Sequence, residues 1–396
     1  MHLARRIKSN GLNREQKIIL NTFDIFPAIR AVGIFYRAAT ARALAVRGYK
    51  VTVIERTQKA IGASIRNFGM IWLIGQPDGE LYERAMLSRS IWSQVCNDAK
   101  IWYDEVGSLH TAYHREEWDV LQDLTETFQH RNYKLLSADE TESKSRVVVR
   151  ERLLGSLYSP DEMIVDPREA IQAIPKWLEE KYKVEFVWGK TVTEIDYPDV
   201  FINDDMMSAD KIIVCSGADF ETLYPTLFAE QLITKCKLQM MRMMAPADGF
   251  RIGPALCGGL SLIHYSSFKA APSLAMFKSK YEELYPEHIK WGIHVMVSQN
   301  QTGELTIGDS HEYGLTHDPF NKQFINQLIF DYLKQFVNFD KTTIIETWNG
   351  IYPKLTNGET ELILYPEKGV TIINGLGGAG MTLSFGLCEQ LIKENH

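Results

Sequence analysis

Three things are scarce in this sequence, and each scarcity removes a class of function. Its 396 residues include only five cysteines, Cys96, Cys215, Cys236, Cys257 and Cys388. An odd number without C-x-x-C spacing argues against a disulfide framework and a cysteine-based zinc site, so no metal is expected and a reducing cytoplasm fits best. No uninterrupted apolar run approaches the roughly 18 to 20 residues that a membrane span needs. The basic start, Met1 to Arg6, is followed by polar residues from Lys8 to Lys17 where a signal peptide would be apolar, so secretion is not expected. Basic charge is also short, with 43 Lys and Arg against 50 Asp and Glu and a net charge of -7. Without a basic block to track a phosphate backbone, no nucleic-acid partner is expected. What the chain does have is 45% hydrophobic and 11% aromatic residues, enough for a substantial core in one large domain or two.

The densest local signal is Thr371-Ile372-Ile373-Asn374-Gly375-Leu376-Gly377-Gly378-Ala379-Gly380-Met381-Thr382. It reads as a β-branched strand, a turn with four glycines in six residues, and a helix through Leu383 to Lys393. Glycines let backbone N–H groups approach a flat or anionic ligand, and the helix points its positive end at the same place. Far upstream, Tyr49-Lys50-Val51-Thr52-Val53-Ile54-Glu55-Arg56 forms an apolar strand ending in an acid, suited to accept hydrogen bonds from a ribose. Together the two segments suggest one dinucleotide site.

Between them the pattern alternates. Residues 1–22 have little apolar periodicity and read as an extension, with the fold beginning near Phe23. Ala38 to Arg47 is a helix stopped by Gly48. Apolar residues recur at helical spacing over 79–106 and 118–131, and helices are also expected over 168–183 and 320–339. Strands are expected over 184–188, 191–195 and 211–218, and a largely antiparallel sheet over 235–307. His264 and Tyr265 fall on an expected strand, where adjacent side chains face opposite ways and cannot both line one pocket without a bulge.

These segments resemble the FAD-dependent oxidoreductases of the D-amino-acid oxidase superfamily, which includes glycine and sarcosine oxidases, over roughly residues 23–396. The resemblance implies an α/β fold: an FAD-binding Rossmann-like domain and a second α+β substrate domain built around an antiparallel sheet. The expected division assigns 23–80, 150–225 and 345–396 to the FAD-binding domain, and 81–149 and 226–344 to the substrate domain. Glu55, followed by Arg56, takes the ribose position. Gly62 to Gly69, with Ser64, Arg66 and Asn67, corresponds to the second flavin segment. Val192 sits where a strand backbone contacts adenine, Ser216-Gly217 is the strand-end pair, and Gly377, Gly378, Gly380, Met381 and Thr382 cover the ring.

Three departures from the family pattern stand out. The N-terminal glycine motif is reduced to Gly33, with Tyr36 and Arg37 close behind and Pro27 inside the expected first strand. The arginine that grips a substrate carboxylate is replaced by Tyr352, in Trp348-Asn349-Gly350-Ile351-Tyr352-Pro353-Lys354. No cysteine lies near Tyr352 in sequence, so FAD is expected to be noncovalent.

The resemblance implies hydride transfer from a small primary or secondary amine to flavin N5, giving an imine that water hydrolyses, with oxygen or another acceptor taking the electrons. Arg66, His264 and Tyr352 are the candidate catalytic residues. Arg242, Tyr265 and His311 are the candidates for binding substrate, although Arg242 could equally hold a structural ion pair and His264 could be a satisfied structural histidine. Gly308-Asp309-Ser310-His311-Glu312-Tyr313 resembles a subgroup associated with aminophosphonate breakdown. Two alternatives stay open: a protein that keeps the fold but binds FAD weakly or does no catalysis, and a nicotinamide-dependent dehydrogenase.

Overall fold

The computed structural model describes residues 17–21, 34–244, 249–339 and 343–394. Its 6-stranded sheet runs in the order Leu362–Leu364, Val370–Asn374, Lys211–Val214, Lys17–Asn21, Lys50–Glu55, Glu185–Trp188. All neighbours pair in parallel except the antiparallel Leu362–Leu364 edge. These strands read as apolar runs because both faces are covered, one by helices and the other by the three-stranded sheet of Val192–Asp196, Asp199–Ile202 and Asp205–Ser208. Lys50–Glu55 and Lys211–Val214 flank Lys17–Asn21 on opposite sides. Such a reversal in strand order opens a crevice at the carboxyl ends of the strands.

The central place of Lys17–Asn21 corrects the expectation that residues 1–22 precede the fold. A strand central to a parallel sheet need show no alternation, so five residues, Lys-Ile-Ile-Leu-Asn, give periodicity nothing to detect. Pro27 therefore lies beyond this strand rather than within it. It lies, with Gly33, outside the described residues.

The helix Ile34–Ala45 leads into Lys50–Glu55 and packs against Gly380–Glu394 and Pro167–Tyr182. Its Ala38, Ala39, Ala41 and Ala43 are essentially inaccessible, and their small side chains let the helices approach closely. Trp92, from Glu80–Ala99, is fully buried in the same core, stacks edge-on against Phe385 and donates its indole N–H to the Met381 carbonyl at 2.8 Å. Truncating such a tryptophan to alanine costs about 3–5 kcal/mol.

A 9-stranded, mostly antiparallel sheet forms the other half. Its longest strands, Ile233–Met243 and Ile344–Leu355, pair over nearly their whole length. Leu305–Gly308, Met296–Gln299 and Ala255–Cys257 follow in order, and Ser108–Ala112 joins the last of these in parallel. The expected sheet over 235–307 is interrupted by helices, among them Leu260–His264, Leu274–Leu284 and Pro286–Lys290.

Three elements sit across the expected domain division. Glu80–Ala99 packs in the core of the parallel sheet rather than with the second sheet. Gly155–Ser159 and Ile344–Leu355 belong to the large sheet rather than to the nucleotide half. Hydrophobic spacing identifies which face of an element is buried, but not which neighbour buries it. Among the described residues no helix is long and apolar enough to cross a membrane.

Candidate active site

Glu55 ends its strand at the crevice and is 5% exposed. Its Oε1 accepts from the Thr57 backbone N–H at 2.8 Å and the Thr57 hydroxyl at 2.7 Å, while Oε2 is ion-paired with the fully buried Arg37. The adjacent Arg56 approaches Asp219 at 3.6 Å. Across the sheet, the Asn374 side chain donates to Ser216 Oγ at 3.2 Å and the Gly217 carbonyl at 3.0 Å, tying the two strand ends together. Glu55 and the Gly375 turn leave the same edge of the parallel sheet, three strand spacings or roughly 14 Å apart, a gap that an extended dinucleotide can bridge.

At the turn, Gly377 has φ +57°, and a Cβ placed on Gly380 would meet nothing within 4 Å. The wall here is bare backbone at the start of the Gly380–Glu394 helix, whose positive end faces outward. Tyr36 does not crowd this turn as a bulky substitute for glycine would; its hydroxyl accepts the Leu376 N–H at 3.0 Å and braces it. Thr382 turns inward, its Oγ1 accepting the Trp72 N–H at 2.8 Å.

A cavity opens between this turn and the large sheet. Ser64, Arg66, Asn67, Gly217, Gly377, Gly378, Gly380 and Met381 line it on the nucleotide side. On the sheet side stand His264, Tyr265, His294, Asp309, His311, Tyr352 and Lys354, with Leu238 and Met240 between them. The Ser64 turn is held open by Asn67, which donates to the Ala63 and Ser64 carbonyls and accepts the Gly69 N–H. Arg66 Nη1 donates to the Asn349 carbonyl at 3.1 Å, which fixes the guanidinium at the rim.

Burial pushes the His264 ring well below its ordinary range and His311 down to about 4, the Asp309 carboxylate opposing the latter shift. Burial alone would raise the Asp309 carboxyl, but the His311 and His294 rings overcome this and hold it low. Burial also keeps the Tyr265 and Tyr352 phenols protonated. The sheet side of the cavity therefore presents neutral imidazoles at His264 and His311, two phenols and one carboxylate, beside the His294 and Lys354 side chains.

Several sequence expectations meet here, and some do not. His264 ends a helix instead of lying on a strand, so it and Tyr265 both line the cavity without a bulge. Arg242 lies outside the lining, with Glu304 at 3.2 Å and Thr306 Oγ1 at 3.3 Å as its partners, the structural ion pair weighed against anion binding. Val192 is buried in the three-stranded sheet of Val192–Asp196, Asp199–Ile202 and Asp205–Ser208. A cysteine does stand near Tyr352: Cys236 is its register partner on the neighbouring strand. Burial pushes that thiol up to about 12, so it is a poor nucleophile toward a cofactor. Sequence reasoning missed His294, Asp309 and Lys354 as lining residues. Asp309 lay in a noted polar turn, and Lys354 lies two residues beyond Tyr352, on the same face of its strand.

The residues fit a flavin at the ring end, where bare backbone, a helix N-terminus and the small side chain of Ser64 leave a flat, polar-edged space. At the ribose end Glu55 remains a suitable acceptor, but Arg37 and Thr57 share it.

A parallel nucleotide-type sheet, an acid at one strand end, a glycine turn at another and a cavity against a second, antiparallel sheet define a dinucleotide-binding α/β protein with a separate substrate wall. The chain belongs to the FAD dependent oxidoreductase (DAO) family, whose pattern it matches over residues 38–393. Its fold is that of glycine oxidase from Geobacillus kaustophilus, with TM-score 0.74 and 17% identity, covering 96% of this chain and 94% of that one. L-proline dehydrogenase from P. horikoshii is equally similar, with TM-score 0.74 and 19% identity over 96% of this chain and 93% of that one. In sequence, D-amino acid dehydrogenase from Helicobacter pylori is 27% identical over 154 residues, 35% of this chain. The matching segment spans about a third (35%) of that relative's length.

Proposed function

We propose that this protein oxidises a small primary or secondary amine that also carries an acidic group, of the aminophosphonate or N-methyl aminophosphonate type, with noncovalent FAD. One observation carries the reading: the glycine turn and the sheet wall face each other across a single cavity that has Lys354 and Arg66 as its cations and Tyr352 at the family's arginine position. FAD, when bound, supplies a hydride acceptor. The chain's own residues do the rest. Lys354 attracts the acidic end of the substrate and repels an ammonium, while Leu238, Met240 and Tyr265 keep the amine in an apolar setting. Both effects favour the neutral amine, the form that can release a hydride from its neighbouring carbon. Tyr352 and Tyr265, held as phenols, can donate hydrogen bonds that orient the substrate. Solved relatives named for glycine and proline substrates support an amine as the reacting group.

The test is hydrogen peroxide formation or dye reduction with 2-aminoethylphosphonate, its N-methyl derivative, glycine, sarcosine and D-amino acids. Turnover of the phosphonates supports the assignment; turnover of D-amino acids alone overturns it. A second reading, a fold-retaining protein with weak FAD binding, is favoured by the Arg37–Glu55 ion pair at the ribose position. Protein that is colourless as purified and takes up no added FAD would establish that reading.

A further inference from the structure

Three histidines from three separate segments converge on the sheet side of the cavity. His264 ends a helix, His294 precedes the strand Met296–Gln299, and His311 follows the strand Leu305–Gly308. One ring nitrogen from each lies within 4.8 Å of the other two. The ring centroids are 3.9 Å apart for His264 and His294, and 4.5 Å for His264 and His311. Backbone hydrogen bonds hold two of the segments in place: His294 and Asp309 exchange N–H···O bonds at 3.1 and 2.7 Å, and the His311 N–H donates to the Trp291 carbonyl at 2.8 Å.

The His311 tautomer follows from its partner. His311 Nδ1 lies 2.8 Å from the Gly292 carbonyl, which can only accept, so Nδ1 carries the proton and Nε2 keeps a bare lone pair. His294 Nε2 lies 3.0 Å from Asp309 Oδ1. His294 Nδ1 is buried and without a hydrogen-bond partner among the described residues. A purely structural histidine cluster would satisfy that nitrogen, because leaving a buried polar atom unpaired costs about 1–3 kcal/mol. Histidines whose second ring nitrogen is fixed by a carbonyl or a carboxylate are the usual arrangement around a protein-bound metal.

We propose that His264, His294 and His311, backed by Asp309, bind a divalent late first-row transition ion such as Zn²⁺, with an open coordination position facing the cavity. Three imidazoles with a carboxylate in support suit these ions rather than Mg²⁺ or Ca²⁺, which prefer oxygen ligands. Lys354 lines the same cavity and its charge opposes a cation; the Asp309 carboxylate offsets it. The three positions are 30 and 17 residues apart in the chain, so no ligand spacing marks them in sequence.

The test uses the purified full-length protein with its FAD, treated with a chelator, dialysed and titrated with ZnCl₂ in a calorimeter without substrate. One ion per chain is expected, with affinity about 10- to 100-fold weaker in Asp309→Asn and reduced further in His294→Gln and in His311→Gln. Circular dichroism and melting temperature identify any variant that fails to fold. For such a variant, an anomalous zinc peak between the three rings in wild-type crystals decides in favour, and its absence decides against. No binding, or undiminished binding in a folded His294→Gln/His311→Gln double variant, overturns the site. Because zinc is measured without turnover, that failure leaves the amine-oxidation reading standing.

Discussion

Arg37 and Glu55 form an ion pair at the carboxyl end of the Lys50–Glu55 strand. Both are buried, so removing the cation leaves a buried carboxylate without that counter-charge. Arg37→Met is expected to lower unfolding free energy by about 3–5 kcal/mol, measured by urea denaturation, and adding Glu55→Gln should recover part of it. A double variant no better than the single one would mean that the pair is not coupled. Lys354 is the second residue whose charge decides something. Lys354→Met should raise KM for an anionic amine roughly tenfold or more, the size of a hydrogen bond to a charged group, while kcat changes less. Equal losses in kcat and kcat/KM would instead assign Lys354 a role in the reacting step.

Among the elements, the Gly380–Glu394 helix carries two glycines with opposite duties. A Cβ at Gly386 would lie 2.3 Å from the Arg84 carbonyl on the helix packed against it. Gly386→Ala should therefore push the helices apart and cost about 1–3 kcal/mol. Gly380 has helical dihedrals, with φ -54°, and open space around its missing side chain. Gly380→Ala should leave melting of the cofactor-free protein unchanged or slightly raised. It should also reduce FAD retained through gel filtration, because the new methyl faces the cavity. Equal retention would move the cofactor away from this turn. The turn was legible in sequence because glycine density, a preceding β-branched strand and a following helix are all local. The helix at His264 was not, because the apolar run Leu260 to Ile263 suits a short strand and a short helix equally.

For the whole molecule, acid is the condition that should unfold it. His110 is 1% exposed between Trp72 and Phe268, and neither ring nitrogen has a hydrogen-bond partner among the described residues. Burial pushes this ring down to about 3 from 6.5. As pH falls below about 6.5 the unfolded chain takes up the proton first, so this contribution is complete above that pH and is lost on acidification toward about 3. The urea midpoint should drop between about pH 7 and pH 5, and His110→Phe should flatten part of the fall. A wild-type midpoint that stays level across this range would contradict the assignment.

Consecutive residues were enough to determine the acid-ended strand at Glu55, the glycine turn at residues 375–380 and hence the family, because strand apolarity, terminal charge and backbone permissiveness are properties of short segments. Tertiary structure alone decided what those segments meet. It set Lys17–Asn21 at the centre of the sheet, opposed Cys236 to Tyr352, gave Arg242 to Glu304, and brought His264, His294 and His311 together, the last two beside Asp309. Each of these depends on strand register and on which face packs against which across long stretches of chain, and a linear pattern does not encode that pairing.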